Sequence, residues 1–356
     1  EYSKTGDTPK KLLILSEDQD TELIDAVRLV QLELLDEFIR VCKKYDLSWT
    51  LMYGSMLGAL RRGAVVYGDD DIDVALPRAD YDKMIAVANK EFTGKFFLQT
   101  PENDDAFFGG YSKLRNRETT ALNHQNWWTD CCEGIFIDIF PIDNSFDSVN
   151  KEREKQKKIR FYQRILFAKA YGYYPCFRDM QLLEWKSYKY LGKLMNKETV
   201  CKKLSDAQRS GDENSAKFGI YTHYYEKCEV NPRVFDRKCL DELMYVPFEQ
   251  RMCSIPVKHE ELLRTFYGEN YLQQIPFAIW KIRPGFYDVD RPYSVYKHRF
   301  RDIFRPMPEG KQIVLIGDGL CFDAYFKKYR DANTVQDRIV LVDPKAICEK
   351  VEDIET

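Results

Sequence analysis

The sequence lacks most of the features that mark specialised protein classes. No apolar run approaches the roughly 18 to 20 residues of a membrane-spanning helix; the best stretch, Gly134 to Ile142, is interrupted by Asp138. Histidine is scarce, at 4 residues, and the 10 cysteines form no CxxC pair and no repeating spacing. That dispersion fits reduced thiols and not a disulfide framework, a zinc site stays open but has no sequence signature, and the adjacent Cys131 and Cys132 read as small buried side chains. With 18 Gly and 14 Pro in 356 residues, collagen-like, low-complexity and wholly disordered chains are excluded. Neither charge sign prevails: 54 Lys and Arg against 57 Asp and Glu leave −3, which removes bulk attraction to nucleic acid. Nothing near Glu1 has the form of a secretory leader, and the missing initiator Met reads as a trimmed start. The expectation is a soluble, cytoplasmic protein that meets a membrane, if at all, peripherally at its inner face.

What is present is enough apolar residue, 44% of the chain, to bury a real core. The length suggests one large domain plus an addition. Leu23, Val27, Val30, Leu34, Phe38 and Val41 recur at spacings of three and four, which predicts a long amphipathic helix. Trp49 to Met52 reads as a strand running into a Gly54-Ser55 turn, and Ala64 to Leu76 switches to period two. Helix resumes from Ala79, and short strands are expected at Phe96 to Gln99, Tyr111 to Leu114 and Gly134 to Phe140. Residues 151–245 read as mostly helical, opening on a basic run of Lys151, Arg153, Lys155, Lys157, Lys158 and Arg160. That run is either a solvated face or a surface for anionic lipid or a polyanionic glycan. Long helix, mixed short strands and then helices indicate an α+β fold.

The most informative stretch joins Gly54-Ser55-Met56-Leu57-Gly58 to Asp69-Asp70-Asp71-Ile72-Asp73-Val74. On a strand, Asp71 and Asp73 share one face while Ile72 and Val74 enter the core. Two carboxylates held side by side repel, and a hard divalent cation is the natural remedy. A third acid, Asp138, sits within Gly-Ile-Phe-Ile-Asp-Ile-Phe-Pro-Ile. Buried there without a partner it would cost several kcal/mol, so it demands a cation, a hydrogen-bond cluster or a raised pKa. Should its strand lie beside Asp71 and Asp73, three acids would converge on one or two metal ions, an arrangement suited to phosphoryl-type transfer. Gly54 and Ser55 offer donors to phosphate oxygens, and Arg61, Lys113 and Arg115 are candidate phosphate-binding cations. An EF-hand reading from Asp69 fails, because Val74 and Asp80 stand where Gly and Glu are required. A DxD glycosyltransferase would use Asp71 and Asp73 but leaves Gly-Ser and Asp138 unexplained.

These motifs together resemble the LicD family, whose pattern is G-T-L-L-G-A-x-R, a short spacer ending in P-W, then D-D-D-I-D. Here the stretch reads GSMLGALRRGAVVYGDDDIDVALPR, with Tyr67-Gly68 in place of Pro-Trp. Phe136 to Asp143 is similar to the family's second signature. Val246-Pro247-Phe248-Glu249, Ile255-Pro256-Val257 and Tyr267-Gly268-Glu269-Asn270-Tyr271 are similar to its later blocks. The resemblance implies a nucleotidyltransferase-like mixed sheet with surrounding helices, in the manner of bacterial enzymes that modify teichoic acid, lipopolysaccharide or capsule. Fukutin-type transferases are distant relatives. It implies Mg²⁺-dependent (or Mn²⁺-dependent) transfer of phosphocholine or a similar phospho-alcohol from a CDP-linked donor such as CDP-choline to a glycan or lipid-linked glycan. Asp71, Asp73 and Asp138 then match the catalytic metal ligands, with Asp138 also a candidate base, and Gly54-Ser55 matches the donor-phosphate turn. A choline group would suit an aromatic cage, but the clusters at Tyr171 to Tyr174, Tyr221 to Tyr225 and Trp127-Trp128 are more simply core and surface aromatics.

The expected organisation is a catalytic domain over residues 1–305 with a helical insertion at about 151–245, and an accessory segment over 311–356. In the latter, Ile313 to Gly319 followed by Leu341-Val342-Asp343 imitates a dinucleotide-binding βαβ unit. Phe322 replaces the third glycine, so a truncated Rossmann-like module is the simpler reading. Two rival functions stay open: a nucleotidyltransferase that moves NMP and releases pyrophosphate, and a non-catalytic glycan-binding scaffold.

Overall fold

The computed structural model describes residues 21–66, 69, 71–123, 131–170, 182–222, 233–272, 285–296, 313–316 and 339–342. The opening helix α1 (Thr21–Lys44) follows the apolar periodicity: Leu34, Phe38 and Val41 are buried, joined by Leu32 and Leu35. After it come β1 (Thr50–Leu51), α2 (Tyr53–Arg62), β2 (Asp73–Pro77), α3 (Arg78–Glu91), β3 (Phe96–Gln99), β4 (Ser112–Asn116), β5 (Thr120–Asn123) and β6 (Ile135–Asn144). Three helices, α4 (Val149–Ala170), α5 (Leu182–Leu194) and α6 (Lys197–Arg209), lead to the short strands β7 (Lys217–Gly219) and β8 (Val234–Asp236). The hairpin β9 (Leu243–Phe248) and β10 (Arg251–Pro256), then α7 (His259–Tyr267) and β11 (Gly285–Asp288), complete the main body.

The central sheet is mixed, in the order β1-β2-β6-β4-β3, with β7 and β8 extending from the far end of β6. β2 and β6 run parallel; β1 on β2, and β4 and β3 beyond β6, run antiparallel. Helices α1 and α3 pack on this sheet, and its buried side chains, among them Val74, Leu76, Leu114, Ile137 and Ile139, form one core with α1. Trp49 sets its ring edge-on to Phe38, centroids 5.3 Å apart, fixing α1 to the start of β1. The α+β expectation therefore holds. A second core lies between α4 and α6, built on Ile159, Ile165, Leu166, Val200 and Leu204.

Several boundaries differ from expectation. Helix ends at Arg209 and does not persist to 245, because β7 continues the sheet beside β6, Asp143 opposite Gly219. Gly54 and Ser55 do not form a turn after β1; they lie in the first turn of α2. The reversal happens one residue earlier, at Tyr53, whose φ of 46° is left-handed and costly for an aromatic residue. At the other end of α2, Gly63 caps the helix at φ 66°, where a side chain would be strained. The β9–β10 turn grips the loop that follows: Glu249 N–H donates to the Gly63 carbonyl (2.7 Å), and its Oε1 accepts from Val65 N–H (3.0 Å). That contact explains the Val246-Pro247-Phe248-Glu249 block. Of the C-terminal piece, β12 (Ile313–Ile316) and β13 (Ile339–Val342) pair in parallel; the glycines and connecting helix of the expected βαβ unit lie outside the described residues.

Candidate active site

Strand alternation around the aspartates follows the physical expectation. Ile72 and Val74 are wholly buried in the core, which leaves Asp73 between them on the other side. Parallel pairing of β2 with β6 sets Asp73 directly opposite Asp138, and Asp138 N–H donates to the Ile72 carbonyl at 2.8 Å. Carboxylate oxygens of Asp71, Asp73 and Asp138 all lie within 4.8 Å of one another. The two stretches of acid, with Asp73 and Asp138 lying 65 residues apart in the sequence, thus meet at one point.

The backbone of Asp73 is locked on both sides. Its N–H donates to Ser55 Oγ at 2.8 Å, and its carbonyl accepts from Met52 N–H at 3.0 Å. Ser55 is completely buried, so its hydroxyl serves the aspartate strand. Gly54 makes room for another acid: a Cβ built there would stand 2.2 Å from Asp69 Oδ2. Asp69 is held from behind as well, its carbonyl accepting from Arg28 Nη2 at 2.8 Å. Small residues at the head of α2 therefore let the acidic loop close down on the helix.

One cation is built into the cluster. On β4, Lys113 stands opposite Asp138, and its Nζ donates to Asp138 Oδ1 at 2.6 Å. The same ammonium sits 3.4 Å from the centroid of the Phe136 ring, a close cation–π contact. Burial pushes the Lys113 pKa below the usual lysine value, against the pull of Asp138. Burial, reinforced by Asp71, Asp138 and Asp69, raises the Asp73 carboxyl well above the usual range. Tyr267, at the end of α7, has its hydroxyl pKa raised by burial and then by Asp73, Asp69 and Asp71, which places it at the rim of the acids. A surplus of negative charge in a desolvated place is what a hard divalent cation relieves, and three carboxylates are the oxygen donors that such an ion prefers.

The remaining candidate cations divide. Arg61, in the last turn of α2, donates to the Tyr271 carbonyl; burial lowers its pKa, with Tyr267 among its electrostatic neighbours, so it lies at the edge of the site. Arg115 does not reach it. Its guanidinium is enclosed in the fold, donating to Gln99 Oε1 (2.5 Å) and the Gly134 carbonyl (2.7 Å). Arg28 and Tyr267 were missed as individual residues; Tyr267 carried a signal through its block, whereas Arg28 looks in sequence like any cation on an amphipathic helix. Of the aromatic clusters, Tyr221 is buried beneath Lys155, 3.8 Å from Nζ to ring centroid, while Tyr171 to Tyr174, Trp127 and Trp128 lie outside the described residues, as do Tyr67 and Gly68. No described helix is long and apolar enough to cross a membrane.

Comparison with known proteins adds two findings. Residues 46–176 match the family model described as LicD/FKTN/FKRP, nucleotidyltransferase domain. The chain is also 34% identical over 120 residues to a lipopolysaccharide cholinephosphotransferase, LicD, of Haemophilus influenzae (strain ATCC 51907 / DSM 11121 / KW20 / Rd). That alignment covers 33% of this chain and 43% of the relative, so the likeness spans less than half of the relative's length.

Proposed function

We propose that this chain, whose residues 46–176 match the LicD/FKTN/FKRP nucleotidyltransferase domain, transfers a phospho-alcohol such as phosphocholine from a CDP-linked donor to a sugar hydroxyl of a surface glycan or its precursor. The carrying observation is the register of Asp73 on Asp138 with Asp71 in reach of both. The lipopolysaccharide cholinephosphotransferase activity of the Haemophilus relative supports the choline and glycan parts of the reading.

Asp71, Asp73 and Asp138 would hold Mg²⁺, or Mn²⁺ in its place, and the ion when bound would neutralise charge on the donor phosphates. Lys113 fixes the Asp138 carboxylate and balances part of its charge. The N–H of Gly54, in the first turn of α2, has no carbonyl partner within the helix and serves as a donor to phosphate oxygens, whereas Ser55, wholly buried with its hydroxyl on Asp73 N–H, supports the strand instead. Arg61 supplies a cation at the rim; Arg115 drops out of the donor site because its donors are used inside the fold. In the reaction, an acceptor oxygen forms a new bond to the phosphorus of the phospho-alcohol. The bond from that phosphorus to the CMP oxygen breaks, its electron pair leaves with CMP, and the acceptor's proton passes to Asp138. Residues 1–305 would form the catalytic unit, with 311–356 an accessory segment.

The test is to incubate the protein with CDP-choline, CDP-ethanolamine or NTPs, plus Mg²⁺ and an acceptor glycan. CMP release that depends on acceptor supports the transferase. Pyrophosphate release from NTPs would support the nucleotidyltransferase instead, and absence of both turnover and metal binding would leave the glycan-binding scaffold.

A further inference from the structure

Helix α5 is apolar on two opposite faces, and its packing accounts for one of them. The inner face lies on α4: the Trp185 ring meets Phe167 edge-on at 5.9 Å, and Lys169 Nζ donates to the Gly192 and Met195 carbonyls at 2.6 and 3.0 Å. These contacts seat the helix without help from its other side. The outward side nevertheless carries Leu183, Tyr190 and Leu194, exposed by 76%, 63% and 65%. At 3.6 residues per turn the three fall within about 40° of one another, on one face that Lys186 and the exposed Ser187 interrupt between Leu183 and Tyr190.

The charge beside that stripe narrows what can cover it. Lys186 and Lys193 are exposed along its flank. The single acid of the helix, Glu184, is ion-paired with Arg164 of α4, so the outward face is cationic in a chain whose net charge is −3. Lysines of like sign would oppose a symmetric contact with a second copy. An anionic lipid surface satisfies every group: leucines enter the acyl boundary, tyrosine sits at headgroup level, and lysine stems lie along the apolar region while their ammonium groups meet phosphates. The basic run of α4 is a weaker platform than its composition suggests, because Lys155 is buried and Lys157 is paired with Glu154.

We propose that the outward face of α5, formed by Leu183, Tyr190 and Leu194 with Lys186 and Lys193 beside them, docks this protein on an anionic lipid bilayer. The proposal is independent of the transferase reading. It is tested by sedimenting the full chain with vesicles of phosphatidylcholine alone and of phosphatidylcholine mixed with phosphatidylglycerol. Binding should require the anionic lipid, weaken in high salt, and fall at least about tenfold in K186E/K193E, since each lysine near such a surface contributes on the order of 1 kcal/mol. L183S/L194S should lose binding to a similar degree while keeping the wild-type circular dichroism. As a readout that does not depend on removing side chains, Tyr190→Trp fluorescence should shift to the blue on anionic vesicles. Equal binding to neutral vesicles, no sedimentation, or no effect of the α5 substitutions overturns the proposal. So does a concentration-dependent dimer that L183S/L194S abolishes with no change on vesicles, which would identify a second copy as the occupant.

Discussion

Replacing Asp73 by Asn should stabilise the metal-free protein while ending turnover. The substitution keeps the size and shape of the side chain and removes one charge from a buried cluster. At the 4.8 Å limit of the carboxylate separations, each like-charged pair costs about 3.5 kcal/mol at an effective dielectric near 20. Asp73 faces two such partners, Asp71 and Asp138, and among the described charges Lys113 opposes them. Proton uptake by Asp73 caps the penalty, so the net gain on substitution is expected at about 1 to 3 kcal/mol near neutral pH. The sign also fixes a pH dependence. Because the folded carboxyl binds its proton more tightly than the unfolded one, metal-free wild type loses stability as pH rises above the ordinary carboxylate range towards the raised folded pKa; Asp73→Asn lacks that loss. Urea unfolding followed by tryptophan fluorescence, in chelator and in Mg²⁺, reads both effects. Mg²⁺ should stabilise wild type by mass action, about 2.7 kcal/mol at one hundred times its dissociation constant, and leave the variant unmoved. A variant that melts earlier than wild type in chelator, or that retains near-normal CMP release, refutes the reasoning.

Gly54→Ala should cut turnover by at least about tenfold with a smaller effect on stability, since a Cβ 2.2 Å from Asp69 Oδ2 pushes the acidic loop off α2; steady-state kinetics beside a melting curve checks this. Arg78 grips the buried carboxylate of Asp143 with two hydrogen bonds of 2.7 and 2.6 Å, so Arg78→Ala removes both and leaves only the neighbouring Lys155 to balance that charge, which should cost about 3 kcal/mol in urea unfolding. Lys155 is buried with its Nζ on the Asn144 carbonyl, and burial lowers its pKa to about 8. A lysine whose folded pKa is depressed makes the protein more stable as pH rises from about 8 towards 10.4, by up to about 3 kcal/mol. Lys155→Met should remove that rise, seen as a difference in the slope of the urea midpoint against pH between the two proteins.

Chain neighbours and chain partners carry different information about a buried charge, and this site separates the two. Asp73 and Asp138 declare their burial locally, because each is bracketed by apolar residues that a period-two strand must send into the core. Their meeting is then a matter of β2 and β6 lying side by side in parallel, which the intervening α3, β3, β4 and β5 make sterically feasible as a crossover. Lys113 and Arg115 show where that reasoning stops. Two residues apart on one strand, they share a face, both lie near the Phe136 ring, and alternation treats them alike. Yet the first faces Asp138 across the ladder, while the second is consumed by Gln99 and Gly134, contacts set by β3 and the start of β6 and not by β4 itself. The basic run of α4 divides by the same cause, with Lys155 turned inward onto Tyr221. The placement of Gly54 and Ser55 was hidden for another reason: a turn was expected at the glycine, but the left-handed residue is Tyr53, where side-chain sterics oppose it. Its ring is wedged against Phe140 and Phe266, at 5.6 and 4.9 Å, so tertiary packing holds the chain in a conformation that local preference would refuse. That strained step is what brings Ser55 Oγ to the N–H of Asp73, and a glycine placed at residue 53 would relax the backbone while surrendering the aromatic wedge that aims it.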